Sequence, residues 1–232
     1  MKKVDYIHQP VRPCNFNDFY YFKNYFNDDQ INGIHQMIVN GGYEFEKGGT
    51  GSGGEQIDHT YSNNRDIAYV PGDQHSWWLY NELEKCVIEA NMRMFQFDIH
   101  HVTDPLHYVI YPTPNVPDKT GQTRPEGGYL DWHMDIGRGQ VNRRKLATTV
   151  QLSDPNDYEG GDFQVWYGGR ETFITLPREK GDVLIMPTFY LHNITPITKG
   201  ERKRWTFRLA YGYRSGCCEQ KKISNYGTIK WT

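Results

Sequence analysis

The chain has 232 residues, 37% hydrophobic and 15% aromatic, enough for one core of β-barrel or sandwich size. Its formal net charge of −2 supplies no field that would recruit nucleic acid or an anionic membrane, so neither is an expected partner. No apolar run approaches the ~20 residues of a membrane-spanning helix, and Met1-Lys2-Lys3-Val4-Asp5-Tyr6 lacks the apolar stretch of a secretory leader.

Asn27-Asp28-Asp29-Gln30 is an N-cap sequence, and Ile31, Ile34, Met37 and Ile38 follow it at helical spacing until Gly41-Gly42. Lys47 to Gly54 is too glycine-rich to pack and reads as a mobile loop. A second helix is expected from Gln74 to Met94, with Trp77, Leu79, Leu83, Val87, Ile88 and Met92 as its apolar stripe. From about Leu106 the pattern changes to short β-rich runs: Tyr108 to Tyr111, Tyr129 to Ile136, Leu146 to Leu152, Phe163 to Tyr167, Thr172 to Leu176, Val183 to Met186, His192 to Ile197 and Trp205 to Tyr213. Short strands at this spacing, with Gly160-Gly161 and Gly181-Asp182 as turns, argue for a sandwich or barrel. The long Pro- and Gly-rich stretch from Pro112 to Gly128 reads as a lid, a binding loop or a disordered segment. The expected organisation is one domain over 1–232: a helical and mixed support (1–105), a β core (106–213) and a polar tail (214–232). Cys14, Cys86, Cys217 and Cys218 form no Cys-x-x-Cys and read as free thiols in a reducing cytoplasm.

The chemistry concentrates in His133-Met134-Asp135 and a distant His192. In a strand, residues i and i+2 share a face, so His133 and Asp135 can reach one metal. Two imidazoles and a carboxylate can occupy one face of an octahedral iron(II) and leave three positions for a cosubstrate and O₂. Zinc competes for the same donors, although zinc sites more often recruit Cys or a third His and none of the usual zinc spacings is present. His-x-Asp alone is common on exposed strands; its conjunction with His192 and Arg202 gives it weight. Arg202, Arg204, Thr206 and Arg208 share one parity, opposite to Trp205, Phe207 and Leu209, which gives a strand with a cationic face toward an anion. Arginine suits that task because its planar fork grips a carboxylate bidentately. His100, His101 and His107 are a weaker cluster, since adjacent strand residues point oppositely. Arg138, Arg143, Arg144 and Lys145 form a basic turn that either meets an anionic or peptide substrate or is simply solvated.

These segments resemble the Fe(II)- and 2-oxoglutarate-dependent oxygenases, in the prolyl 4-hydroxylase-like branch with its small phage and bacterial members. The resemblance is carried by Tyr129 to Asp135, Leu146 to Ser153, Asp157-Tyr158-Glu159-Gly160-Gly161-Asp162, Lys180-Gly181-Asp182 with its strand, and His192-x-x-x-Pro196-Ile197-x-x-Gly200-x-Arg202. It implies a mainly β fold with α: a double-stranded β-helix, or jelly-roll, backed by helices. It implies His133, Asp135 and His192 as iron ligands and Arg202 as the partner of the distal carboxylate of 2-oxoglutarate. Tyr111 and Tyr108 become candidates to hydrogen-bond that cosubstrate. Arg204 stands where relatives often carry Ser, which leaves open whether it shares the work of Arg202. The implied cofactors are Fe(II), 2-oxoglutarate and O₂, with ascorbate in support. Because halogenating relatives lack the carboxylate ligand and Asp135 is present, the implied outcome is hydroxylation of a prolyl or other C–H site in a peptide, protein or amino acid, with release of succinate and CO₂. The alternatives are an oxygenase acting on a nucleobase and a non-catalytic jelly-roll that binds a metal or sugar; the latter would need neither Arg202 nor Asp135.

Overall fold

The computed structural model describes residues 19–48, 63–99, 101–102, 104–137, 139–166 and 172–210. Cys14, Cys217, Cys218, His100, Arg138, the glycine-rich stretch beyond Gly48 and the 214–232 tail lie outside the described residues. So do the side chains of 205–210, and with them the parity expected of Thr206 and Arg208. The elements run β1 (Tyr20–Phe22), α1 (Asp28–Asn40), β2 (Glu46–Lys47), β3 (Asn63–Asn64), β4 (Asp66–Val70), α2 (Trp77–Ala90), a π turn (Asn91–Phe95), β5 (His101–Val102), β6 (Leu106–Tyr111), β7 (Tyr129–His133), a 3₁₀ turn (Gly139–Arg143), β8 (Arg144–Gln151), β9 (Tyr158–Gly160), β10 (Phe163–Trp166), β11 (Phe173–Thr175), β12 (Val183–Pro187), β13 (His192–Ile194), β14 (Ile197–Gly200) and β15 (Arg202–Ala210).

The helices form where local chemistry favours them. Asn27 accepts from Gln30 N while its own N–H donates to Gln30 Oε1, a reciprocal capping box. Asp28 and Asp29 add favourable charge in the first turn. Gly41 N–H returns to Met37 O, and Gly42 at φ +63° turns the chain out of the helix. Among the described residues no helix is long and apolar enough to cross a membrane.

The strands close a jelly-roll of two antiparallel sheets. The larger runs β1-β12-β8-β15-β6-β4-β2, with β5 also on β15; the smaller runs β11-β10-β13-β7-β3; β14 and β9 pair apart. Strand alternation sorts the core into two layers. Leu106, Tyr108, Ile110, Val150, Val183 and Ile185 pack on Ile31, Ile34, Leu79, Leu83 and Val87 of the helices. Their sequence neighbours Val109, Tyr111, Leu184 and Met186 face the smaller sheet, meeting Leu130, Phe163, Val165 and Ile194. Both faces of the larger sheet are therefore covered, and every residue of β6 and β12 is buried.

Three features depart from the sequence expectation. Five strands precede residue 106, and β4 and β1 join the larger sheet through β6 and β12. The run His192 to Ile197 is two strands, because Pro196 has no N–H for the ladder and Thr195 N instead donates to Asp162 O. Finally, 112–128, expected as a lid, a binding loop or a disordered segment, folds as a hairpin-like excursion with its own hydrogen bonds. Asn115 N donates to Arg124 O, Asp118 N to Gln122 O, and Asp118 Oδ1 accepts from the N–H groups of Thr120 and Gln122. Lys47 Nζ bridges Asp66 and Asp118, and Lys119 N donates to Asp66 Oδ2, so the excursion is tied to β2 and β4.

Candidate metal centre

The site begins with the pairing of β7 and β13, which makes His133 and His192 register partners. β7 then gains an extra residue: His192 to Ile194 is two steps on β13, while His133 to Leu130 is three on β7. This bulge rotates His133 toward the interior while Trp132 stays 37% exposed. β7 stops at His133, short of the expected Ile136, so strand alternation does not place Asp135. Its backbone is held instead by Asp135 N donating to Thr188 O at 2.8 Å and Arg144 Nη1 donating to Asp135 O at 3.1 Å.

One donor atom from each of His133, Asp135 and His192 lies within 4.8 Å of the others. His133 Nε2 is 3.8 Å from Asp135 Oδ1, and His192 Nε2 is 3.9 Å from Asp135 Oδ2. His133 Nδ1 faces Asp131 O and His192 Nδ1 faces Tyr190 O, both at 2.8 Å. A carbonyl only accepts, so each Nδ1 carries the proton and each Nε2 turns a lone pair inward. Burial holds the His133 imidazole well below its usual range; nearby His192 lowers it further, and Asp135 opposes. The neutral ring is the metal-binding form. Two imidazoles and one carboxylate fit iron(II) with open positions. Among the described residues the free cysteine is Cys86, which lies in the helix-side core and cannot close the set into a four-ligand structural zinc site.

Beside this centre lies a buried cationic wall. Arg202 and Arg204 on β15 are 0% and 3% exposed. Arg202 Nη2 donates to Gln151 Oε1 at 2.9 Å, while Arg202 Nε and Nη1, Arg204 Nε and the Tyr111 hydroxyl have no hydrogen-bond partner among the described residues. Among the described residues neither guanidinium makes an ion pair. The guanidinium carbons sit 5.5 and 5.3 Å from the centre of the Tyr111 ring, and Arg204 also lies 5.7 Å from the Phe163 ring, which packs on His192. Burial pulls Arg204 down to about 10; Tyr111 opposes this and Arg202 adds to it. Gly161, at φ +65°, passes close over Arg202: a Cβ there would lie 3.1 Å from Arg202 Cδ. So many open donors in one dry space match a dicarboxylate such as 2-oxoglutarate.

Two expectations need correction. Tyr108 does not face this space. It has the opposite parity to Tyr111 on β6, packs in the helix-side core, and its hydroxyl lies 2.9 Å from His35 Nδ1. Arg144 is not a solvated member of a basic turn: it makes a two-pronged pair with Asp104, at 2.9 and 2.6 Å. Of the secondary histidine cluster, His107 stacks edge-on against Tyr69. Sequence reasoning did not single out Gln151, Phe163, Asp104 or Thr188. Gln151 and Phe163 carry an inward parity that strand alternation could have revealed, whereas Asp104 and Thr188 carry no local signal.

Residues 120–211 match the family model described as the 2OG-Fe(II) oxygenase superfamily. A PKHD-type hydroxylase of Synechococcus sp. (strain CC9605) is 39% identical over 77 residues, 33% of this chain and 34% of that protein. PKHD-type hydroxylase PiuC of Pseudomonas aeruginosa is 38% identical over 85 residues, 33% of this chain and 35% of that protein. The chain thus spans about a third of the length of the curated relatives it matches. Among solved structures, a prolyl hydroxylase from Trichoplax adhaerens, in complex with a hypoxia inducible factor peptide fragment, superposes with TM-score 0.64 at 16% identity, covering 85% of each chain. A Pseudomonas putida prolyl-4-hydroxylase gives 0.60 at 13%, covering 84% of this chain and 94% of that one. Residues 120–211 are thus similar to the 2OG-Fe(II) oxygenase superfamily, and the jelly-roll around them is the fold of the two prolyl hydroxylase structures.

Proposed function

We propose that this chain is an Fe(II)- and 2-oxoglutarate-dependent hydroxylase in which His133, Asp135 and His192 hold the metal and Arg202, helped by Arg204 and Tyr111, holds the cosubstrate. The observation that carries the reading is the wall of buried donors next to the triad that have no partner among the described residues. A buried cation with no acid partner is costly, and a dicarboxylate relieves that cost. When bound, iron(II) with 2-oxoglutarate and O₂ supplies the oxidant that hydroxylates a C–H bond, with loss of CO₂ and formation of succinate. The chain's residues do the rest. The carbonyls of Asp131 and Tyr190 fix the two imidazole tautomers. Gln151 orients the Arg202 fork, and the burial of β15 and β6 keeps water from the carboxylate end.

We further propose a peptide or protein substrate, in keeping with the peptide bound by the Trichoplax neighbour. The same proposal has residues 1–232 working as one domain in the cytoplasm, supported by β1 and β4 in the larger sheet and by the free thiol of Cys86. The test is succinate release from 2-oxoglutarate with iron(II) and ascorbate, alone and with a prolyl peptide library read by a mass gain of one oxygen. No cosubstrate turnover under any of these conditions, with the metal bound, would refute the reading.

A further inference from the structure

Asp135 sits in a bend beyond the end of β7, where no ladder fixes its backbone. Yet its carboxylate faces both histidines, so something else must hold it. Two contacts do. Thr188 accepts from Asp135 N, and Thr188 is itself locked to β8: its N–H donates to Lys145 O at 3.0 Å and its hydroxyl to Arg144 O at 2.8 Å. On the other side, the Arg144 side chain donates to Asp135 O. That guanidinium has little freedom. Nε and Nη2 grip the two oxygens of Asp104 in a fork, leaving Nη1 aimed at the Asp135 carbonyl. Both partners are largely shielded, with side-chain exposures of 14% and 19%. Asp104 lies before residue 120, outside the segment that matches the oxygenase family.

We infer that the Asp104–Arg144 fork is a positioning device for the metal site, setting the place of the Asp135 carboxylate through its backbone. This rests on the reading of His133, Asp135 and His192 as metal ligands. Arg144 reaches the site through the Asp135 carbonyl, where it supplies the second half of the clamp that replaces a β-ladder. The fork matters because only a guanidinium can hold both carboxylate oxygens and still present a third donor.

The experiment measures Co(II) binding to the full chain by calorimetry and by its visible absorption, for the unaltered protein and for Arg144→Ala, Arg144→Lys and Asp104→Asn. The expected result is a Co(II) affinity about 10- to 100-fold weaker in Arg144→Ala, the usual effect of losing an outer partner of a ligand. Asp104→Asn should show a smaller loss, Arg144→Lys should recover only part of the affinity, and the Co(II) spectrum should change in both Arg144 variants. Combining Asp104→Asn with Arg144→Ala should add nothing to the loss from Arg144→Ala, because the two act as one unit. If Arg144→Ala does not fold, Asp104→Asn decides by the same readouts. Unaltered affinity and spectrum in the variants would overturn the inference, as would full rescue by Arg144→Lys. Absence of Co(II) binding by the unaltered protein would instead overturn the metal reading beneath it.

Discussion

Replacing Arg202 by alanine removes a guanidinium that is 0% exposed and already oriented by Gln151. A bound 2-oxoglutarate would then bury a carboxylate opposite a cavity. Breaking a buried ion pair from one side costs roughly 3–5 kcal/mol, which at tenfold per 1.4 kcal/mol is roughly a hundred- to several-thousand-fold in Kd. Arg204 is also buried, at 3%, so it is not a solvent-facing bystander. With Arg202 still present, loss of Arg204 removes one charge-assisted hydrogen bond, about 1.5–3 kcal/mol or about ten- to a hundred-fold. Calorimetric titration of 2-oxoglutarate into Mn(II)-loaded protein reads both variants without turnover. At a hundred times Kd the cosubstrate should add about 2.7 kcal/mol of stability and raise Tm by roughly 5–11 °C, a shift that Arg202→Ala should lose at the same concentration. A larger loss for Arg204→Ala than for Arg202→Ala would move the anchor two residues along β15. No loss in either variant would remove the dicarboxylate from this pocket.

His133→Ala, Asp135→Ala and His192→Ala should each abolish Mn(II) binding with circular dichroism unchanged; retained binding in any one removes that residue from the metal site. Burial holds the His35 imidazole below its usual range, with Lys203 adding to the effect. A depressed histidine pKa means that the unfolded chain binds the proton first, so stability should be full above about pH 6.5 and fall as the pH drops through that value. Urea titrations at pH 7.5 and 5.5 should therefore show a smaller pH-dependent loss in His35→Gln, and an equal loss in both proteins would refute this. Burial pushes the Cys86 thiol up to about 11, so peptide mapping after native alkylation at pH 8 should find Cys86 unmodified until denaturant is added. Lys47→Ala leaves the buried Asp66 and Asp118 facing each other; a loss of roughly 3–5 kcal/mol and faster amide exchange over 115–124 should follow, and unchanged exchange would show that Lys47 is no tether.

The residue types of the site were legible in the sequence because metal chemistry restricts them so tightly: His133, Asp135, His192 and Arg202 stand out by their conjunction, and the family resemblance implies their roles. Their geometry was less legible. Alternation predicted that His133 and Asp135 share a face, and they do converge, but through a bulge and a clamp rather than a continuous strand. Tyr108 and Tyr111 both stood as cosubstrate candidates, Tyr111 ahead of Tyr108, and parity on a sheet covered on both sides separates them. α1 was readable from its capping box, a local device. β1 and β4 were not, since short strands owe their existence to partners far along the chain, β12 and β6. The order of 112–128 was hidden for the same reason, being fixed by Lys47 and Asp66 from another element.

The position of β15 bears on how the molecule is made. The last described strand lies in the middle of the larger sheet, between β8 and β6. A ribosome delivers β6 and β8 about 3–20 seconds before it delivers 202–210, at ~5–20 residues per second. Until then each of those strands has a bare edge toward the gap, an invitation to strands of other chains. The strand that carries both pocket arginines is thus also the keystone that ends this vulnerable interval, and sheet closure and assembly of the cationic wall become one event.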